Sequence, residues 1–77
     1  MTKISFAVIG YGHIGKKHAI MVSGSQESQL VAIVDVDAAK REEAQKAYDG
    51  VEVFESIEQL LASELPLDVV NICTPNG

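Results

Sequence analysis

The sequence predicts an α/β chain: a partial doubly wound parallel sheet, element order β-α-β-α-β-α-β, strand order 3-2-1-4. Three observations lead there. Apolar runs alternate with helix-like segments along all 77 residues. The runs are close to continuously apolar, which marks strands buried on both faces and therefore a parallel sheet with helices on each side. Right-handed crossovers then favour the order 3-2-1-4.

Each element has its own signal. Ile4 to Ile9 is a short apolar run with β-branched residues and reads as the first strand. Ile14 to about Val22 reads as helix, closed by the loop residues Ser23-Gly24-Ser25. Leu30-Val31-Ala32-Ile33-Val34 is the second strand. Asp37 is placed to N-cap a helix running through Ala38, Ala44, Ala47 and Tyr48, with Gly50 as its stop. Val51-Glu52-Val53-Phe54 alternates and reads as a shorter, half-exposed strand. Ser56-Ile57-Glu58-Gln59 fits a capping box, and Ile57, Leu60 and Leu61 give the helix behind it an apolar face. Pro66 forces a break. Asp68 to Cys73 is the fourth strand, followed by Thr74-Pro75-Asn76-Gly77.

Composition bounds the class. A hydrophobic content of 47% suits a packed core rather than disorder. A chain this short buries only about 60% of its unfolded surface, so its expected stability is marginal. Eleven acids against six basic residues, a formal net charge of −5, argue against nucleic-acid or anionic-membrane partners, which call for a basic patch. One cysteine excludes an internal disulfide and every multi-cysteine metal site. Met1-Thr2-Lys3 leads directly into a strand, with no signal peptide and no run of membrane-spanning length. The expectation is a soluble protein of a reducing compartment, the cytoplasm.

The chemistry concentrates after the first strand. Gly10-Tyr11-Gly12-His13-Ile14-Gly15 has the spacing G-x-G-x-x-G, with a strand before it and a helix after it. Each glycine has a separate task in a dinucleotide site. Gly10 permits the tight turn, Gly12 lets a pyrophosphate approach the backbone, and Gly15 lets helix and strand pack closely. The helix start offers unpaired N–H groups and a positive dipole end to the phosphates, with the His13 N–H among them. Asp35 ends the second strand 25 residues after Gly10, near the usual offset of about 20. A carboxylate there accepts from both adenosine ribose hydroxyls, through charge-assisted bonds of roughly 1.5–3 kcal/mol. It repels a 2′-phosphate, and Val36 brings no compensating charge, so NAD is expected over NADP. Asp37 competes for this role, but its position suits the helix cap better.

Other residues leave two readings open. Lys16 and Lys17 sit in the opening turns of the first helix, where cations oppose the dipole. Attraction to a pyrophosphate and a plain solvated face both account for them. His13 and His18 are not spaced as a paired metal site, and no third ligand is evident. Cys73 is either a nucleophile beside the nicotinamide half or a buried, inert thiol, and no activating base is evident.

With these residues in view, the chain resembles the Gfo/Idh/MocA (glucose–fructose oxidoreductase/myo-inositol dehydrogenase) family over its whole length. The resemblance rests on Gly10 to Gly15 with His18-Ala19, on Val34-Asp35-Val36-Asp37, and above all on Asp68-Val69-Val70-Asn71-Ile72-Cys73-Thr74-Pro75-Asn76. It implies a Rossmann fold, in which Thr74, Pro75 and Asn76 contact the cofactor near its pyrophosphate and nicotinamide ribose. It implies hydride transfer between nicotinamide and a sugar- or polyol-type carbinol in the intact enzyme. The family's catalytic lysine, in a Glu-Lys-Pro motif, its acid–base histidine and its sugar-binding domain match no residues here. Residues 1–77 are therefore expected to be the N-terminal portion of a dinucleotide-binding domain, without catalytic residues of their own and part of a homo-oligomer at full length. Alone, they are expected to be unstable or to self-associate through the apolar fourth strand at the sheet edge. The rival expectations are an NAD-sensing, ligand-gating module without catalysis, and a fragment that binds nothing.

Overall fold

Apolar residues of the central strands alternate between two cores, and this explains why helices are needed on both sides. The computed structural model describes residues 3–74. Its elements are β1 (Ile4–Ile9), α1 (His13–Gly24), β2 (Ser28–Val34), α2 (Ala38–Ala47), β3 (Glu52–Phe54), α3 (Ile57–Ala62) and β4 (Val69–Ile72). The strands form one sheet in the order β3-β2-β1-β4, every pair parallel, as the sequence predicts. Val8 and Ile33 point to one face and pack with Ala19 of α1 and Ala44 of α2. Ala7, Ile9, Ala32 and Val34 point to the other and pack with Leu60 of α3. The period-two side-chain geometry of a strand makes both clusters from the same two strands. The β1–β2 register shifts between Phe6 and Ala7, where Val31 is the extra residue on β2.

Several boundaries differ from the sequence reading, each for a local reason. Ser23 and Gly24 belong to α1 rather than to a loop; Ser23 Oγ donates to the Ile20 carbonyl and so fits the last turn. Helix α1 also begins one residue earlier, at His13. Strand β2 starts at Ser28, not Leu30, because Ser28 and Gln29 pair with Ile4 and Ser5 of β1; Ser28 Oγ also donates to the Val22 carbonyl and Gln29 Nε2 to Ser5 Oγ. Helix α2 ends at Ala47 with Tyr48 already extended; Gly50, at φ +85°, turns the chain toward β3 instead of capping the helix. In the capping box, Ser56 Oγ accepts from the Gln59 N–H, but Gln59 Oε1 accepts from Glu55 N–H, one residue before the cap. Only Leu60 of the expected α3 face is buried; Ile57 and Leu61 are exposed. The helix is six residues long, under two turns, and meets the sheet over β2 and β3.

Strand β4 is shorter than Asp68 to Cys73, yet both of these ends are tied to β1. The Asp68 carboxylate accepts from Ser5 N–H at 2.8 Å and its own N–H donates to the Ser5 carbonyl. The Cys73 N–H donates to the Ile9 carbonyl at 2.7 Å. Among the described residues β4 forms one edge of the sheet, with Val70 and Ile72 exposed.

Candidate functional site

At the carboxyl end of β1 the chain turns through three glycines, and the surroundings of each give a different reason for its presence. Gly10 has φ +94°, a left-handed conformation that L side chains rarely adopt, and a Cβ there would also meet Thr74 at 3.0 Å. Its N–H donates to the Val34 carbonyl at 2.6 Å, which pins the turn onto β2. A Cβ at Gly15 would overlap the Gly10 carbonyl, so α1 lies directly against the end of β1. Gly12 is unlike both. Its φ of −83° is ordinary, and a Cβ there would meet no protein atom within 4 Å. Nothing among the described residues requires glycine at this position.

Gly12 is also the N-cap of α1. No side chain caps that helix, and its first turn carries no acid. The leading N–H groups are thus left for an external acceptor, with the positive end of the helix dipole behind them.

Gly12 opens onto a cleft of about 620 Å³ at this end of the sheet, within the usual size of small-molecule sites, roughly 300–1,000 Å³. It is lined by Ile9 and Val34 from the ends of β1 and β2, and by Gly10, Gly12 and Thr74. Asp35, Val36 and Lys40 follow β2 on the lining, and Glu55, Ser56 and Ile57 follow β3. Asp35 braces two turns at once: Oδ2 accepts from the Tyr11 N–H at 2.7 Å and Oδ1 from the Asp37 N–H at 2.8 Å. Each carboxylate oxygen has a further lone pair, so a ligand hydroxyl can still be accepted. Asp37 is the cap of α2, its Oδ1 accepting from Ala39 N–H at 2.9 Å.

The predicted residues therefore divide. Gly10, Gly12, Asp35 and Thr74 surround one cleft. His13 and Ile14 stand in the first turn of α1 with exposed side chains, and Gly15 is buried behind it. Pro75 and Asn76 lie outside the described residues. Lys16 is turned to α2: its Nζ is 2.6 Å from Glu43 Oε2 and 5.6 Å from the centre of the Tyr11 ring. That pairing explains Lys16 without a phosphate, while Lys17 is simply exposed. Tyr11 is buried among α1 and α2 residues, and burial, then Tyr48 and Glu43, push its phenol up. Burial also pushes the Cys73 thiol up, the opposite of what an activated nucleophile needs. Among the described residues no three His, Cys, Asp or Glu are grouped as metal ligands, and no helix is long and apolar enough to cross a membrane.

Sequence reasoning did not find Lys40, Glu55, Ser56 or Ile57 on the cleft, nor Arg41 behind it. The predicted strand order carried a usable signal. In the order 3-2-1-4 the loops after the second and third strands share the end that holds the glycine turn.

A parallel doubly wound sheet with this glycine turn and a strand-end acid defines a dinucleotide-binding domain of the Rossmann class. Residues 4–77 match the family model described as oxidoreductase family, NAD-binding Rossmann fold, and the chain belongs to this Gfo/Idh/MocA family. It is 42% identical over 72 residues to inositol 2-dehydrogenase of Rhizobium meliloti (strain 1021), covering 94% of this chain and 21% of that protein. Among solved structures it is similar to scyllo-inositol dehydrogenase from Lactobacillus casei with bound NAD(H) and scyllo-inositol. That match has TM-score 0.82 and 32% identity, over 96% of this chain and 22% of the other. The WlbA dehydrogenase from Bordetella pertussis, in complex with NADH and UDP-GlcNAcA, matches with TM-score 0.86 and 29% identity, again over 96% and 22%. The chain thus spans about a fifth of the length of these relatives.

Proposed function

We propose that residues 1–77 are the N-terminal part of a dinucleotide-binding domain in an NAD-dependent dehydrogenase acting on a cyclic polyol or related sugar. Gly12 is the observation that carries this. It is a glycine that no described residue requires, at an uncapped helix start, facing a cleft. A bound pyrophosphate accounts for all three features. In this reading the turn at Gly10 and Gly12 and the N–H groups of His13 and Ile14 hold the pyrophosphate, with Gly15 keeping α1 in place. Asp35 accepts from the adenosine ribose hydroxyls, which favours NAD. Thr74 on the cleft, and Pro75 and Asn76 after it in the sequence, take the cofactor-contact role that the family resemblance implies. NAD supplies the hydride acceptor, and the protein's share is position and electrostatics.

The polyol class rests on the names of two of these relatives, inositol dehydrogenases at 42% and 32% identity. The relatives named above are dehydrogenases, and no observation favours the regulatory module. The test is calorimetric titration of NAD into the protein at its natural length, beside a Gly12→Val variant. The variant is expected to keep its circular dichroism spectrum and lose at least about a hundredfold in affinity, near 2.7 kcal/mol. Retained affinity in the folded variant would falsify the assignment of this turn to the phosphates.

A further inference from the structure

Arg41 is an unexpected residue for its position. It stands in the first turn of α2, where a cation opposes the helix dipole. Its side chain is 24% exposed and folds back over the start of its own helix. One guanidinium nitrogen, Nη1, donates to the Asp35 carbonyl at 2.9 Å and to the Val36 carbonyl at 3.0 Å. The other, Nη2, lies 3.8 Å from Glu55 Oε2, just beyond β3. Asp35, Val36 and Glu55 all line the cleft. Arg41, not itself on the lining, therefore links lining residues that follow β2 to one that follows β3.

The consequence falls on Asp35. Its N–H donates to the Phe54 carbonyl at 3.0 Å. Its carbonyl accepts from Arg41, and its two carboxylate oxygens accept from Tyr11 and Asp37. Every polar group of this residue is held, and Arg41 is the only side chain among these partners. An arginine near this strand end can instead accommodate the 2′-phosphate of NADP. Here its donors are directed to two carbonyls and a carboxylate.

We infer that Arg41 is a positioning residue for cofactor choice: it fixes the Asp35–Val36 backbone, and so the carboxylate, in the place that accepts a ribose hydroxyl and repels a 2′-phosphate. This rests on the reading of the cleft as an NAD site. The role is opposite in sign to phosphate recruitment. A recruiting arginine strengthens NADP binding; a positioning arginine strengthens NAD binding and gives NADP no gain.

The experiment measures NAD and NADP affinities calorimetrically for the protein at natural length and for Arg41→Ala, Arg41→Lys, Asp35→Ala and Arg41→Ala/Asp35→Ala. Circular dichroism and Tm report on folding, and Arg41→Lys serves if the alanine variant does not fold. Arg41→Ala is expected to weaken NAD about fivefold, within the range of couplings inside one hydrogen-bond network, with NADP unchanged or tighter. Arg41→Lys keeps the charge without the planar fork and is expected to recover little of the NAD/NADP ratio. In the Asp35→Ala background, loss of Arg41 is expected to leave the ratio where it is. Equal losses for both cofactors, a larger loss for NADP, or an additive double variant would each overturn the inference. If Asp35→Ala itself leaves the ratio unmoved, it is the NAD-site reading that fails. If Asp35→Ala moves the ratio and neither Arg41 variant does, only the role of Arg41 fails.

Discussion

The turn from β1 to α1 and the turn from β2 to α2 lie side by side on the cleft and are built by opposite means. The first is held by closeness of backbone. Gly10 sits against Thr74, Gly15 against the Gly10 carbonyl, and the Tyr11 side chain is sunk between α1 and α2. The second is held by polar bonds, with Asp35, Asp37 and Arg41 supplying the side-chain partners. The two meet where Asp35 accepts from the Tyr11 N–H. On the proposed reading, the difference follows from what each turn faces. A turn that admits a pyrophosphate needs empty space and free N–H groups, so side chains are removed from it. A turn that discriminates between sugars needs a charge in a fixed place, so its backbone is tied down.

The largest expected effect tests the first turn. Gly15→Ala places a methyl group on the Gly10 carbonyl. Because the obstacle is backbone, α1 must move away from β1. We expect a loss of about 3 kcal/mol or more, at the upper end of overpacking costs. Gly12→Ala, with open space around it, is expected to stay within about 0.5 kcal/mol of the parent. Urea unfolding of both variants is the check. Equal destabilisation would mean that the two glycines have the same structural duty, and the argument from Gly12 would be lost.

Much of the first turn was legible in the sequence, because its constraints are steric and local. Glycine spacing reports where a Cβ cannot be accommodated, and periodicity reports which strands are buried. The second turn was legible only in part. Asp35 and Asp37 stood out as acids at a strand end and at a helix start. That Asp35 reaches Tyr11, 24 residues away in sequence, depends on how the two strands pair. Arg41 carried no signal in the sequence, and Lys16 was open between a phosphate contact and a solvated helix face. Their partners, Glu55 and Glu43, come from other elements, and no spacing rule connects them. The α3 face was over-read for a related reason. Ile57 and Leu61 are placed like core residues, but α3 packs over β2 and β3, and Leu60 alone reaches the core.

The second effect in size concerns Asp35. Its replacement by alanine removes the carboxylate from the ribose edge and the acceptors from Tyr11 and Asp37. The expected result is a fall in the NAD/NADP ratio of kcat/KM of at least about tenfold, or 1.4 kcal/mol. A lower Tm should accompany it, because both turns lose a bond. A drop in Tm with an unmoved ratio would make Asp35 a brace and nothing more. The comparison between the turns would then hold for structure but not for cofactor choice.

The smallest effect separates Asp35 from its neighbour. Asp37 lies two residues on, carries the same charge, and competes in the sequence for the ribose role. Its Oδ1 accepts from Ala39 N–H, so it already serves the orphan donors at the start of α2. Asp37→Ala should cost about 1 kcal/mol, the usual value of an N-cap. Asp37→Asn keeps an acceptor oxygen and should recover most of that loss in a urea midpoint. Neither variant should move the NAD/NADP ratio, because the Asp37 side chain is bonded into its helix and does not line the cleft. A ratio that shifts with Asp37→Asn while stability is kept would transfer the discriminating charge from Asp35 to Asp37. The bonds to the Tyr11 and Asp37 amides would then be the whole of Asp35's work, and the second turn would be held by one acid and read by the other.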